Sequence, residues 1–187
     1  MKILIVGAAG VLGRALIPHL AGHAVTGTTR DRARLSVLQN LGATGALCDV
    51  YQPEALDRVA REVSPDIVVN LLTDLAAGSR EANARVRREG GPAVVRAAQA
   101  AGARRLVVES IAFPASGAGG SAVAELEAGA LASGLEAIVL RFGRLWGPGT
   151  WSESTPEAPP AVRVAEAGRR AAPLILTAAP GTYDVVD

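Results

Sequence analysis

The chain has 187 residues, of which 49% are hydrophobic and only 3% aromatic, so its core must be built from aliphatic side chains. This length suits one domain with a sizeable core. The net charge of +1 argues against a nucleic-acid-binding surface, and no apolar run approaches the roughly 20 residues of a membrane span. Cys48 is the only cysteine, which excludes an intrachain disulfide and a cysteine-based metal cluster. With no signal peptide recognisable, we expect a cytoplasmic protein without a metal site or a membrane contact.

The first thirty residues carry the strongest local pattern. An apolar run, Ile3–Val6, is followed by Gly7, Gly10 and Gly13 at the spacing G-x-x-G-x-x-G, then by a helix-like stretch and a second strand-like run, Ala24–Thr29. This order predicts one βαβ unit with a glycine turn before its helix. Glycines let the backbone approach a pyrophosphate, and the helix N-terminus offers N–H groups to that anion. The pattern therefore predicts a dinucleotide-binding site.

The end of the second strand predicts which dinucleotide is bound. In such folds an acid at this point binds the ribose 2′-hydroxyl, whereas an arginine accommodates a 2′-phosphate. Here the strand ends in Thr29 and Arg30 follows at once, with Arg34 one turn further on. We interpret the intervening Asp31 as the N-cap of the next helix. The sequence thus favours NADP(H) over NAD(H).

Strand-like and helix-like segments alternate along the rest of the chain, which predicts an α/β fold with a doubly wound parallel sheet, the Rossmann fold. We expect a kink or break at Gly90–Gly91–Pro92, with a solvated arginine-rich face upstream, and a loop over Phe113–Ser121. The further predicted strands are Ala43–Cys48, Asp66–Leu72, Arg105–Ser110 and Leu135–Phe142, and the predicted helices are Gly10–Leu20, Arg32–Leu41, Pro53–Val63, Gly78–Ala101 and Ala122–Ala132.

Beyond Gly149 the composition changes. Residues Thr150–Pro160 are polar and proline-rich and predict a loop. A helix disturbed by Pro173 is predicted over Val164–Thr177, and a last strand over Thr182–Val186. We therefore expect a single domain over residues 1–187, with a core at 1–149 and a reduced C-terminal region at 150–187.

Several segments together resemble the extended short-chain dehydrogenases/reductases, specifically the NAD(P)-dependent epimerase/dehydratase group, over nearly the whole chain. GAAGVLG is similar to the cofactor loop of that family, LRFGRLWGPGT to its sixth strand and the following turn, and GTYDVVD to a C-terminal motif. Two further segments resemble parts of the family that line the cofactor: Asp49–Val50 after the third predicted strand and Asn70–Thr73 at the end of the fourth. The resemblance implies that the following residues bind the cofactor together with Arg30: Gly7, Ala9, Gly10, Val11, Leu12, Gly13, Asp49, Val50, Leu71, Leu72 and Thr73.

The chain also departs from the family pattern. The usual catalytic pair, Tyr-x-x-x-Lys on the helix after the fifth strand, has no counterpart in the stretch SAVAELE at 121–127. In the family the lysine binds the nicotinamide ribose and the tyrosine acts as general acid/base. Ser110 is the candidate for the family's catalytic serine, although Ala112 is an alternative for that position. Glu109 is a further candidate to replace the tyrosine, whereas we expect Glu125 and Glu127 to be solvated helix residues.

These observations lead to one main functional hypothesis and two alternatives. The main hypothesis is an NAD(P)-binding oxidoreductase or epimerase-like enzyme that acts on a small carbonyl or hydroxyl substrate. The alternatives are a non-redox isomerase, cyclase or lyase on the same fold, and a catalytically inactive module that senses NADP(H). Because the family commonly dimerises through the long helix and the helix after the fifth strand, we also expect a homodimer.

Overall fold

The computed structural model describes residues 1–52, 54–74 and 79–187. Pro53 and Gly78, each predicted to begin a helix, lie outside the described residues. One sheet of seven strands has the order β3-β2-β1-β4-β5-β6-β9, and each neighbouring pair is parallel. The doubly wound parallel sheet is thereby confirmed. Its strands are β1 (Lys2–Val6), β2 (Ala24–Thr29), β3 (Thr44–Leu47), β4 (Ile67–Asn70), β5 (Arg105–Ile111), β6 (Glu136–Phe142) and β9 (Gly181–Val185).

Helices cover both faces of this sheet. Successive strand residues point to opposite faces, so Ile3 and Ile5 pack in one core cluster while Leu4 and Val6 pack in the other. All four side chains are buried, as expected for a central parallel strand. The helices are α1 (Val11–Leu16), α2 (Leu35–Asn40), α3 (Ala55–Val63), α4 (Arg80–Arg85), α5 (Gly91–Ala100), α6 (Gly117–Leu131) and α7 (Val164–Thr177). The first cluster lies beneath α1, α2 and α7, and the second beneath α3, α5 and α6.

Two predicted helix features differ from the structure. Where a kink or a break was predicted, the helix is continuous but irregular: a π-helical turn over Val86–Gly90 joins α4 to α5. The predicted loop over Phe113–Ser121 was wrong in its second half, because α6 already begins at Gly117. There the Arg88 guanidinium donates to the carbonyl oxygen of Ala118 at 3.2 Å. This contact supports a helical start that small, flexible residues alone do not predict.

The C-terminal part of the chain packs closely on the βαβ unit. Short strands β7 (Arg144–Trp146) and β8 (Ala161–Arg163) form a separate two-stranded sheet around the predicted loop. Helix α7 has the predicted bounds and contains Pro173. A Cβ at Gly168 would lie 2.4 Å from the carbonyl oxygen of Ala15, so α7 and α1 touch backbone to backbone. This contact holds the C-terminal helix against the element that follows the glycine turn.

Candidate functional site

The glycine turn after β1 has a conformation that only glycine fits without strain. Gly7 has φ +82°, and a Cβ there would lie 2.8 Å from the carbonyl oxygen of Leu71 at the end of β4. Its N–H donates to the Thr28 hydroxyl at 3.2 Å, and the N–H of Ala8 donates to the Thr28 carbonyl oxygen at 3.1 Å. The turn is thus held between the carboxyl ends of β2 and β4.

The other two glycines have different roles in the same turn. Gly10 is the N-cap of α1 and supplies no side-chain hydrogen bond, so N–H groups of the first helical turn stay available for an anion. Gly13 lies inside α1, where a Cβ would come within 2.2 Å of the carbonyl oxygen of Ala8. The helix therefore packs directly on the turn.

A cleft of about 330 Å³ opens at the carboxyl ends of β1–β4. This is the edge at which ligands bind in open parallel sheets. Three predicted cofactor residues do not line this cleft. Val11 faces a groove between α1 and α7, and Leu12 and Gly13 are buried in α1. Nine of the twelve predicted cofactor residues line the cleft: Gly7, Ala9, Gly10, Arg30, Asp49, Val50, Leu71, Leu72 and Thr73.

Charged side chains from the segments after β2 and after β4 line this cleft. Arg30, Asp31, Arg34 and Asp74 all line it. Arg30 Nη2 lies 3.3 Å from Asp74 Oδ1, and Arg34 Nε lies 3.5 Å from Asp31 Oδ2. Asp31 also accepts a hydrogen bond from the N–H of Ala33 at 2.9 Å, which agrees with its predicted role as an N-cap. Each arginine of the predicted phosphate site thus has a carboxylate neighbour.

Ser110 lies outside this cleft in a network of polar side chains between β5, β6 and α6. It is fully buried, and its hydroxyl donates to Glu127 Oε1. Arg141 holds the same carboxylate with two hydrogen bonds, at 2.9 and 2.6 Å. The expectation of a solvated Glu127 was wrong: its side chain is 12% exposed, and hydrogen bonds from Arg141 and Ser110 lower its pKa. The catalytic role of Ser110 stays a prediction, and its hydroxyl already has a partner.

Glu109, near the end of β5, has a raised pKa. Burial raises its pKa to about 7, while the nearby charge of Arg87 acts in the opposite direction. Arg87 itself is only 7% exposed, so the prediction of a fully solvated arginine face was wrong at this position. Val108 pairs with Asn70 in β4, which places Glu109 beside Leu71, a residue of the cleft wall. A carboxyl group that titrates near neutrality therefore lies next to the cleft.

Comparison with known proteins assigns the chain to a family. The model of the NAD dependent epimerase/dehydratase family matches residues 3–114. The chain belongs to this family. A curated relative, the 3-diazoavenalumate denitrifying reductase of a Streptomyces species, is 36% identical in an alignment that covers 80% of this chain. The chain spans only 58% of the length of that relative.

Solved structures of the family share the fold. The Bordetella bronchiseptica enzyme WbmH, in complex with NAD+, matches all of this chain and 75% of its own with a TM-score of 0.80 at 19% identity. The UDP-glucose 4-epimerase of Thermus thermophilus, in complex with NAD, matches all of this chain and 78% of its own with a TM-score of 0.78 at 18% identity. At these identities the likeness concerns the Rossmann fold alone.

Helix α6 contains neither tyrosine nor lysine. The single lysine, Lys2, begins β1 and so lies at the sheet edge opposite the cleft. Among the described residues, no group of three histidine, cysteine or acidic side chains is arranged to hold a metal ion. In the same part of the chain, no helix is both long and apolar enough to cross a membrane.

Four polar residues of the cleft were not among the predicted cofactor-binding residues: Thr28, Thr29, Tyr51 and Asp74. Each follows or ends a parallel strand, and that position is the signal that could have identified them. Tyr51 lies under the Arg85 guanidinium, which is 4.6 Å from the ring centroid. Asp74 had no motif to mark it, because its partner Arg30 is 44 residues away in the chain.

Proposed function

We propose that the chain binds NADP(H) in this cleft and takes part in redox chemistry on a small carbonyl or hydroxyl substrate. The observation that carries the proposal is the shared lining: the glycine turn, Arg30 and Arg34 face one cleft. A turn with available N–H groups suits a pyrophosphate, and two guanidinium groups at the end of β2 suit a 2′-phosphate. The family membership and the reductase among its relatives support the same interpretation.

In this proposal, different residues of the cleft contact different parts of the cofactor. Gly7 and Gly10 leave the backbone accessible to the pyrophosphate, and Asp49 and Val50 line the wall beyond β3. The Asp49 carboxylate is oriented by the N–H of Tyr51, which donates to Oδ1 at 3.0 Å. When bound, the nicotinamide supplies the hydride chemistry. The segment that follows β4, which begins at Leu71, also lines the cleft.

The experiment that tests the proposal is a calorimetric titration of the purified protein with NADPH and with NADH. We expect Arg30→Ala and Arg34→Ala each to weaken NADPH binding roughly 10- to 100-fold, because a hydrogen bond to a charged group is worth about 1.5–3 kcal/mol. Arg32→Ala is the matched control, since Arg32 is exposed on the same turn but outside the cleft lining. NADH binding should change little in all three variants.

Turnover is measured in parallel as NADPH oxidation with a panel of aldehydes and ketones. Binding of neither nucleotide by the wild type would overturn the proposal and favour a non-redox member of the family. Binding without turnover across a broad panel would instead favour a nucleotide-sensing protein. A homodimer through the long helix predicted at Gly78–Ala101 and the helix predicted at Ala122–Ala132 remains a prediction, which analytical ultracentrifugation tests.

A further inference from the structure

An ion pair crosses the cleft from one side to the other. Arg30 directly follows β2, and Asp74 comes four residues after β4, while β1 lies between these two strands. The pair therefore connects two segments that follow strands on either side of β1. The glycine turn at Gly7 lies at the end of β1, between the two ends of this bridge. The bridge therefore spans the region assigned above to the dinucleotide.

The two partners of this bridge are held very differently. The Asp74 side chain is 14% exposed, and its backbone N–H donates to Asn83 Oδ1 at 3.2 Å. The Arg30 side chain is 61% exposed. The carboxylate is thus the fixed partner, and the guanidinium extends to it from the opposite side of the cleft. A carboxylate and a phosphate present similar oxygen acceptors to a guanidinium, so they compete for the same N–H donors.

We propose that Asp74 is a specificity-determining residue, which competes with the 2′-phosphate of NADP(H) for Arg30. This inference rests on the proposed function of the cleft. The carboxylate acts in two ways against the phosphorylated cofactor: it engages the guanidinium, and its own negative charge repels a phosphate placed beside Arg30. NAD(H) carries a hydroxyl group at this position and meets neither effect. Asp74 therefore reduces the preference for NADP(H) that the two arginines create.

The second acidic residue of this region does not duplicate Asp74. Asp31 lies 3.5 Å from Arg34, but both side chains are more than half exposed to solvent. Asp31 is also engaged by the N–H of Ala33 as a helix cap. It belongs to the same turn as Arg34, so this pair does not span the cleft.

The test is a titration of wild type, Asp74→Asn and a matched control with NADPH and NADH. Asp57→Asn is the control, because Asp57 forms an equivalent pair with Arg96 outside the cleft lining: 3.4 Å apart, with side chains 15% and 58% exposed. We expect Asp74→Asn to tighten NADPH binding about three- to tenfold and to change NADH binding less than about twofold. Asp57→Asn should leave both affinities unchanged.

A double-mutant cycle with Arg30→Ala then isolates the competition. In the Arg30→Ala background, the gain from Asp74→Asn should shrink, because only the repulsion of the phosphate remains to be relieved. An unchanged NADPH-to-NADH affinity ratio in Asp74→Asn, with both cofactors binding, would overturn the inference and leave the proposed function intact. Weaker NADH binding would also overturn it, since the carboxylate would then be a ligand of the ribose hydroxyls. Binding of neither cofactor by wild type would overturn both.

Discussion

Glu109 makes the stability of this protein depend on pH near neutrality, and Glu109→Gln tests that dependence. Burial raises the pKa of Glu109 from its ordinary value of 4.5 to about 7 in the folded chain. The folded state therefore holds a proton on this carboxyl group at pH values where the unfolded chain has already released it. Stability from this group is complete below about pH 4.5 and is lost as the pH rises through 7.

The magnitude follows from the two pKa values. A change from 4.5 to about 7 corresponds to roughly 3 kcal/mol, because each pKa unit is worth about 1.36 kcal/mol. Glutamine keeps the shape of the protonated carboxyl group and cannot ionise. Relative to wild type, Glu109→Gln should therefore raise the free energy of unfolding by about 2–3 kcal/mol at about pH 8. The difference should decline towards about pH 5.

Urea unfolding of both proteins at about pH 5, 6.5 and 8 measures this difference directly. Glu125→Gln is the matched control, because Glu125 is 55% exposed and pairs with Arg88 on the surface at 2.9 Å. Its unfolding free energy should differ from that of wild type by less than about 1 kcal/mol at every pH. A Glu109→Gln difference that is the same at the lowest and the highest pH would refute the reasoning, since ionisation would then not be its source.

Two further predictions concern packing and the network around Ser110. Gly13→Ala should lower the free energy of unfolding by about 1–3 kcal/mol, because the new methyl group would lie 2.2 Å from a backbone carbonyl oxygen. Gly129 lies in open space on α6, so Gly129→Ala should instead raise the free energy of unfolding by about 0.5–1 kcal/mol. If thermal unfolding showed the same change in stability for both variants, this distinction would be contradicted. Ser110→Ala should cost about 1–3 kcal/mol in urea unfolding because a buried carboxylate loses a donor, and an unchanged stability would show that this hydrogen bond contributes nothing.

The strands and the glycine turn could be predicted from the sequence because their signals are local. The apolar run of β1 is buried on both faces, and the glycines at its end mark the turn without reference to any distant residue. The start of α6 at Gly117 could not be predicted in this way. Its first turn is rich in glycine, and the Arg88 guanidinium on the long helix donates a hydrogen bond to the carbonyl oxygen of Ala118 in that turn. Tertiary contacts outweigh local propensity there.

The arginine-rich helix shows why burial was harder to predict than secondary structure. At about 100° per residue, a regular α-helix places Arg88 about 60° from Arg85 but Arg87 on nearly the opposite side. The π-helical turn at Val86–Gly90 inserts extra residues per turn and rotates the side chains that follow. Arg85 and Arg88 remain exposed, at 61% and 39% of their side chains, whereas Arg87 turns inward near Glu109. The helical period of about 3.6 residues already separates Arg87 from Arg85, whereas a count of arginines along the segment does not. The charge of Arg87 acts against the raised pKa of Glu109, which burial causes.

The same limit applies to cofactor choice. The residue at the end of β2 is a local signal, and Arg30 alone predicts a phosphate-binding cleft. The structure places a carboxylate from the end of β4 within 3.3 Å of that guanidinium. A cation that already has a carboxylate partner offers a phosphate less free energy than the same cation in water alone, because the new contact replaces an existing one. On the proposal above, the preference between the two nucleotides depends on Asp74 as well as on Arg30, and a motif confined to the end of one strand includes only the arginine.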